Sequence, residues 1–152
     1  MPDTPERDTS PPETILAFDF GMRRIGVAVG QTITGSASPL GVITNGDDGP
    51  DFDAISGLVK EWQPSRLIVG LPLHADGSPG DMQPHVENFL RELLRYQLQI
   101  DTVDERYTSL EAQTALKNAR AAGSRGRISR EMIDSAAAVI IAERFLTRRT
   151  NV

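Results

Sequence analysis

Three acidic residues stand at places in the chain where packing alone does not account for a carboxylate. Asp19 ends a short apolar run, Glu105 follows an alternating apolar run, and Asp134 lies inside a long apolar run. A carboxylate in an apolar setting has to be neutralised, paired or bound to a metal ion. If the fold brings all three together, their mutual repulsion makes a divalent cation the natural partner. These residues therefore predict a metal-dependent nuclease with Asp19, Glu105 and Asp134 as metal ligands and catalytic residues.

The segment after Asp19 is a glycine turn between two apolar runs. In Asp19-Phe20-Gly21, a carboxylate stands beside backbone that can approach a phosphate closely, which suits a metal ion or a phosphodiester. The same pattern makes a good hairpin turn, and the spacing alone leaves both interpretations open. A protein-kinase origin of the motif is disfavoured, because the other kinase motifs are absent and the chain is too short.

Glu105 lies in the charged cluster Asp104-Glu105-Arg106, at the predicted carboxyl end of a strand. This end of a parallel strand is the usual functional edge of an α/β sheet, and an arginine there can contact a phosphate in bidentate fashion. A surface ion pair followed by a helix cap explains the cluster equally well. Asp134 has a similar alternative, because the helix dipole stabilises an acidic residue in the first turn of a helix.

A run of basic residues precedes the last predicted helix. Between residues 117 and 130 there are five basic residues and no acidic ones. Flexible cationic side chains of this kind bind phosphates, although a merely solvated loop would have the same composition. The residues predicted to bind nucleic acid are Arg23, Arg24, Arg106, Arg125, Arg127 and Arg130.

Composition limits the class of protein. The chain has 152 residues, a formal net charge of −5 and no cysteine, which excludes disulfides, cysteine nucleophiles and thiolate zinc sites. No apolar run approaches the ~18 residues of a membrane-spanning helix, and no basic segment followed by an apolar one marks a secretory signal. We therefore expect a cytoplasmic protein without membrane contact, although its net charge argues weakly against nucleic acid binding.

Hydrophobic periodicity predicts a single domain over residues 14–148, between a disordered tail at residues 1–13 and a short tail at residues 149–152. The expected order of elements is β-β-β-α-β-α-β-α-α, an antiparallel hairpin followed by alternating strands and helices. This order predicts an α/β fold with a mixed sheet flanked by helices. The predicted strands span residues 15–19, 25–29, 38–44, 66–71 and 100–104, and the predicted helices span residues 52–62, 86–94, 109–121 and 131–148.

Taken together, in this order and spacing, the motifs resemble the YqgF family, a bacterial group described as Holliday junction resolvases and as pre-16S ribosomal RNA nucleases. The resemblance covers nearly the whole predicted domain. It implies a ribonuclease H-like fold with a five-stranded mixed sheet whose second strand is antiparallel. It also assigns Asp19, Glu105 and Asp134 to the family's catalytic positions. The chain departs from the family's usual residues at Gly30-Gln31, at His74 and near Arg130.

The resulting hypothesis is a nuclease that uses two Mg²⁺ or Mn²⁺ ions to hydrolyse phosphodiester bonds in structured nucleic acid. The resemblance favours processing of the 5′ end of pre-16S rRNA, with the small ribosomal subunit as a further partner and a monomer or weak homodimer as the active form. Three alternatives stay open. They are a resolvase acting on branched DNA, a non-catalytic nucleic-acid-binding adaptor on the same fold, and a relative of the actin and sugar-kinase ATPases.

Overall fold

The computed structural model describes residues 12–71, 82–104 and 130–150, with the side chains of the last range described from residue 135 to 147. The strands are β1 (Thr14–Asp19), β2 (Arg24–Gln31), β3 (Ser36–Gly46), β4 (Gly49–Pro50), β5 (Arg66–Leu71) and β6 (Gln99–Asp104). The helices are α1 (Phe52–Trp62), α2 (Gln83–Leu93), which is followed by a 3₁₀ turn over Leu94–Tyr96, and α3 (Arg130–Thr150). None of these helices is long and apolar enough to cross a membrane.

β1 is the central strand, because the apolar residues 15–18 require burial on both faces and are fully buried. It pairs antiparallel with β2 and parallel with β5. β6 is in turn parallel to β5, and β3 is antiparallel to β2. The sheet order in the described residues is β4-β3-β2-β1-β5-β6. The predicted mixed sheet with an antiparallel second strand is therefore confirmed.

The sheet differs from the prediction at its far edge. We predicted five strands and a break after Thr44, whereas β3 continues to Gly46 and turns directly into the two-residue strand β4. Gly49 closes this hairpin with φ at 95°, a conformation that glycine adopts without a steric penalty. The described sheet thus has six strands, because a segment rich in turn residues formed a tight hairpin instead of a loop.

The two faces of the sheet have separate cores. Side chains alternate between the faces of a strand, so Leu16 and Phe18 of β1 pack with Phe89 of α2 on one face. Ile15 and Ala17 point to the other face, where they pack with α3 residues such as Ile141. We call these the α1–α2 face and the α3 face.

α3 lies close to the sheet at Gly30, one of the positions where the chain departs from the family's usual residues. A Cβ atom added to Gly30 would lie 3.0 Å from Cγ1 of Ile15 and 3.3 Å from Cδ1 of Leu146. Contacts this short would require the side chains of Ile15 and Leu146 to shift by a few tenths of an ångström. The glycine is therefore explained by packing of the helix against the strand.

Described contacts and secondary structure extend slightly beyond residues 14–148. Glu13, which the prediction placed in the tail, donates its backbone N–H to Oγ1 of Thr32 at 2.8 Å. At the other end, α3 continues to Thr150, beyond the predicted limit of residue 148. Residues 1–11 of the predicted tail, the predicted loop with His74 and the predicted helix over residues 109–121 lie outside the described residues.

Candidate functional site

Asp19 is the last residue of β1 and stands at the edge where the parallel strands β1, β5 and β6 end. Ile15 and Ala17 pack on the α3 face, so alternation along the strand places the Asp19 side chain on that face as well. Its partner on β2 is Gly26, which brings no side chain to the pair. The central strand thus presents a half-buried carboxylate, opposite a glycine, at the carboxyl edge of the sheet.

Contacts near the end of α3 show where this helix lies along the sheet. Its last turns lie at the amino ends of the strands, where the ring of Phe145 is 5.5 Å from the guanidinium of Arg66. A helix rises about 1.5 Å per residue, so Asp134 lies on the order of 17 Å from Phe145 along the helix axis. That is close to the length of β1 at about 3.3 Å per residue. The first turn of α3, with the backbone of Asp134, is thus about one strand length away from the contact between Phe145 and Arg66.

β6 ends at Asp104, one residue before the predicted site residue Glu105. Val103 packs on the α3 face, so alternation places the Asp104 carboxylate on the α1–α2 face, away from Asp19. The guanidinium of Arg144 donates from Nη1 to the main-chain oxygen of Asp104 at 2.8 Å. This hydrogen bond fastens the end of β6 to α3 just before Glu105.

The turn after Asp19 is held by Asn45, a residue that the sequence patterns did not single out. Asn45 is only 7% exposed, and its Nδ2 donates to the carbonyl of Gly21 at 2.7 Å. Its backbone N–H donates to the carbonyl of Arg23 at 2.9 Å. The only signal was a polar residue after an apolar strand, in a segment that we predicted to be a loop.

Gly21 is required by the shape of this turn. A Cβ atom at this position would lie 2.5 Å from the carbonyl oxygen of Arg24, well inside van der Waals contact. Any side chain would therefore push the two ends of the turn apart. The position of the backbone next to Asp19 thus depends on Gly21 and Asn45 together.

The two adjacent arginines of the turn serve opposite faces of the sheet. Arg24 begins β2, and because Ile25 packs on the α1–α2 face, alternation places Arg24 on the α3 face with Asp19. Arg23 is exposed and lines a cleft that faces α2. Arg24 thus lies on the same face as the Asp19 carboxylate, and Arg23 lies on the opposite face at the same edge of the sheet.

Ser135 supplies a buried polar atom on the α3 face. It is 7% exposed, and its Oγ has no hydrogen-bond partner among the described residues. Leaving such a group unsatisfied costs about 1–3 kcal/mol, so a water molecule or an oxygen ligand of a bound ion would stabilise it. A hydroxyl oxygen and the carboxylate oxygens of Asp19 are both of the ligand type that Mg²⁺ and Mn²⁺ prefer.

Within the described residues, no three Asp, Glu or His side chains come close enough to hold a metal ion. Of the three predicted ligands, only Asp19 has a described side chain, since Glu105 lies outside the described residues and Asp134 is described only as part of α3. The same limit applies to four of the predicted phosphate contacts, namely Arg106, Arg125, Arg127 and Arg130.

The opposite end of β1 carries a different charge cluster. There Arg66 donates hydrogen bonds to Asp101 and to Glu13, with 3.4 Å between its Nε and Oε1 of Glu13. Ser65 also donates to Glu13, at 2.8 Å. Burial lowers the pKa of Arg66, but the hydrogen bond to Asp101 and the charges of both acids outweigh it and raise the pKa above its ordinary value. At this end of β1, Arg66 thus supplies the positive charge that neutralises Glu13 and Asp101.

A cleft of about 630 Å³ opens on the α1–α2 side of the turn that follows Asp19. Three elements form it, namely the turn itself, the β3–β4 hairpin and one side of α2. Its lining residues are Phe20, Met22, Arg23, residues 45–50, His85, Asn88, Phe89 and Glu92.

Comparison with known proteins connects this geometry to one family. The family model described as RuvX: Holliday junction resolvase matches residues 13–148. A protein from Burkholderia lata is 45% identical over 134 residues, which cover 88% of this chain and 88% of that protein. A protein from Azotobacter vinelandii is 44% identical over 142 residues, which cover 92% of this chain and 97% of that protein. Both carry the name "Putative pre-16S rRNA nuclease".

Solved structures of resolvases share the fold. RuvC of Thermus thermophilus in complex with a Holliday junction substrate matches with a TM-score of 0.53 at 10% identity, over 90% of this chain and 95% of that one. The yeast mitochondrial Holliday junction resolvase also matches with a TM-score of 0.53, at 11% identity, over 90% of this chain and 81% of that one. These likenesses confirm the predicted ribonuclease H-like fold.

Proposed function

Since the chain belongs to the RuvX family of Holliday junction resolvases and is a nuclease that hydrolyses phosphodiester bonds, we propose that it processes the 5′ end of pre-16S rRNA in the cytoplasm. The choice of RNA is supported by the names of relatives that are 44–45% identical over most of both chains. The small ribosomal subunit, which contains this RNA, is the corresponding partner.

The structural observation that carries the proposal is the position of Asp19. It ends the central strand on the α3 face, and α3 is long enough for its first turn, with Asp134, to reach the same edge. We assign Asp19, Glu105 and Asp134 as the metal ligands and catalytic residues. Glu105 is preferred over its neighbour Asp104, because alternation along β6 directs the Asp104 side chain to the opposite face.

The residues at this edge suit phosphodiester hydrolysis. When bound, two Mg²⁺ or Mn²⁺ ions would supply positive charge at the scissile phosphate and lower the pKa of the attacking water. Asp19 offers carboxylate oxygens of the kind that these cations prefer. Gly26 opposite Asp19 and Gly21 of the turn add no side chain that would keep a phosphate away from this edge. Arg24, on the same face, places a cation where the phosphate oxygens would lie.

The remaining predicted arginines would hold the strand on either side of the cut. We assign this role to Arg23, Arg106, Arg125, Arg127 and Arg130. Contacts of this kind fix the position of the substrate but do not read its sequence. Binding should therefore weaken steeply as the salt concentration rises.

The test compares cleavage of two substrates by the purified chain. One is an RNA that carries the 5′ precursor end of 16S rRNA, and the other is a DNA four-way junction. We expect cleavage of the RNA with Mg²⁺ or Mn²⁺, no cleavage with chelator, and no cleavage by Asp19→Asn. Cleavage that continues in chelator would contradict the metal requirement, and wild-type activity of Asp19→Asn would contradict the site. Tight RNA binding without cleavage under any metal would identify an adaptor instead.

Cleavage of branched DNA is the second candidate, supported by the family description and by the fold shared with a RuvC that was solved with a Holliday junction. The two candidates differ in the oligomer that they require, because a junction is cut on two strands by a two-fold dimer. A dimer that forms on the junction, detected by sedimentation, together with paired symmetric cuts, would favour the resolvase. A monomer that trims one RNA end would favour the proposed function.

A further inference from the structure

We propose that the cleft beside the Asp19 turn binds the base of an unpaired nucleotide that adjoins the bond to be cut. This inference rests on the proposed nuclease function, and it adds a preference for substrates with a single-stranded segment at the cut. The cleft has a volume of about 630 Å³, which lies in the usual range for small-molecule sites.

The cleft is continuous with the proposed catalytic edge. Phe20, Met22 and Arg23 line it, and they belong to the turn that begins directly after Asp19. The Asp19 side chain lies on the α3 face and the cleft opens on the α1–α2 face, so a strand whose phosphate lies at Asp19 has to cross this turn to bring a neighbouring base into the cleft. Asn45, which fixes the turn through Gly21, also lines the cleft, so the same contacts hold both sites in place.

The charge of the cleft excludes a phosphate as its occupant. Asp47, Asp48 and Glu92 line it, and Arg23 is the one arginine among its lining residues. Three carboxylates against one guanidinium repel an anion over the few ångströms of such a site. A divalent cation is not favoured either, since no three Asp, Glu or His side chains converge within the part of the chain that the structure describes. A neutral group with hydrogen-bond donors fits this charge.

A nucleobase supplies such a group together with a flat apolar face. Met22 is 48% exposed and is one of the few large apolar side chains that stand out from the described surface. Exposed methionine next to a nucleic-acid site packs well on base faces and can separate stacked bases. The cleft floor below it is formed by the buried rings of Phe20 and Phe89, whose centroids are 5.2 Å apart.

The carboxylates of the cleft should favour bases that carry an amino group over bases that do not. Cytosine carries an exocyclic amino group, which donates hydrogen bonds, whereas uracil carries a carbonyl oxygen at the same position. Glu92 is the cleft carboxylate that lies on a helix, where Nδ2 of Asn88 donates a hydrogen bond to its Oε1 at 3.4 Å. We therefore expect the cleft to accept cytosine or adenine and to discriminate against uracil.

The first experiment measures binding without cleavage. End-labelled oligocytidylate and oligouridylate of equal length are titrated with the wild-type chain in chelator, and their fluorescence anisotropy is recorded. We expect oligocytidylate to bind about 10-fold more tightly, the effect of one hydrogen bond to a charged group. Glu92→Gln should abolish the difference. Glu87→Gln removes the same charge from an exposed position of α2 that does not line the cleft, and it should keep the difference.

The second experiment replaces each unpaired nucleotide of the precursor RNA in turn by cytidine, uridine or an abasic residue. One position next to the cut should show a KM about 10-fold higher for uridine or the abasic residue, with little change in kcat. Equal binding of the two oligonucleotides, or a preference that survives in Glu92→Gln, overturns the proposal. Oligolysine binding that depends on Glu92, without base preference, also overturns it in favour of a basic protein partner.

The two experiments separate this proposal from the proposed function. A cytosine preference in the binding assay without cleavage of precursor RNA would support the cleft and contradict the substrate assignment. Cleavage of precursor RNA that ignores the unpaired base would support the substrate assignment and contradict the cleft.

Discussion

The two ends of β1 use acidic residues in opposite ways. At the amino end, Glu13 and Asp101 meet Arg66, so the fold neutralises its own carboxylates. At the carboxyl end, Asp19 stands beside a glycine of β2 and on the same face as the orphaned hydroxyl of Ser135. An acid held by an arginine contributes to stability, whereas Asp19 lies at the carboxyl edge of the sheet, on the same face as a hydroxyl that has no hydrogen-bond partner among the described residues, where a ligand can bind. Acidic residues thus stabilise the fold at the amino end of β1 and, we propose, take part in catalysis at its carboxyl end.

This comparison predicts its largest effect at Asp19. Asp19→Asn removes a charge and a metal ligand with almost no change in volume, so cleavage of precursor RNA should fall by on the order of 10²–10³-fold or more. Its melting temperature should stay near that of the wild type, or rise if repulsion among the acids is relieved.

Asp101→Asn is the matched control at the other end of the sheet, since it changes the same residue type on the same face. It should lose stability in urea denaturation and keep its cleavage rate. If Asp101→Asn loses cleavage while it remains folded, the division between the two ends of β1 is wrong.

Gly21→Ala tests the turn that follows Asp19. The added methyl would lie 2.5 Å from the carbonyl oxygen of Arg24, so the turn has to open and carry the backbone away from the carboxylate. We expect kcat to fall by roughly 10- to 100-fold, because catalysis is sensitive to displacements of about 1 Å. Gly57→Ala is the control, since a Cβ atom on Gly57 of α1 meets nothing within 4 Å. It should raise stability by about 0.5–1 kcal/mol and leave kcat unchanged.

Arg66→Met tests the structural end of β1. It leaves Glu13 and Asp101 without their shared partner, and we expect a loss of about 1–3 kcal/mol of unfolding free energy in urea, a value reduced for partial exposure. Cleavage should not change at temperatures where the variant is folded. Because the pKa of Arg66 is raised in the folded state, its contribution is complete below the ordinary arginine pKa and is lost only at more alkaline pH.

Arg91→Met removes an exposed arginine of α2 and should change stability by less than about 0.5 kcal/mol. A similar loss in both arginine variants would show that the cluster around Arg66 has no special role.

Asn45→Ala should have the smallest effect on cleavage. It removes the side-chain donor to the carbonyl of Gly21 but keeps the backbone hydrogen bond to Arg23. We expect a loss of about 1–3 kcal/mol in stability and a fall of a few-fold in kcat with little change in KM. Thr44→Ala, at the exposed position before it, should change neither quantity. A wild-type kcat for Asn45→Ala would mean that the turn keeps its shape without this side chain.

Much of the fold followed from local patterns. β1, β5 and α1 were predicted within a residue or two of their observed bounds, because each is a periodic apolar segment with a clear turn or proline at its end. β4 was missed, because a two-residue strand has no periodicity and exists only through its pairing with β3. Asn45 was missed for a related reason, since its role depends on the carbonyls of a turn that lies more than twenty residues earlier in the chain.

The sequence by itself determined which functional groups this protein contains and in which order they occur. It contains an acid after an apolar strand, a glycine turn, two adjacent arginines and an acid in the last helix, and their order identified the family. Only the tertiary structure decided which of these groups share a face. Register and alternation placed Asp19 and Arg24 on the α3 face, turned Asp104 and Arg23 away from it, and opened a cleft behind the turn. Such choices depend on the pairing of strands that are distant in the chain, and a shift of one residue would reverse every one of them.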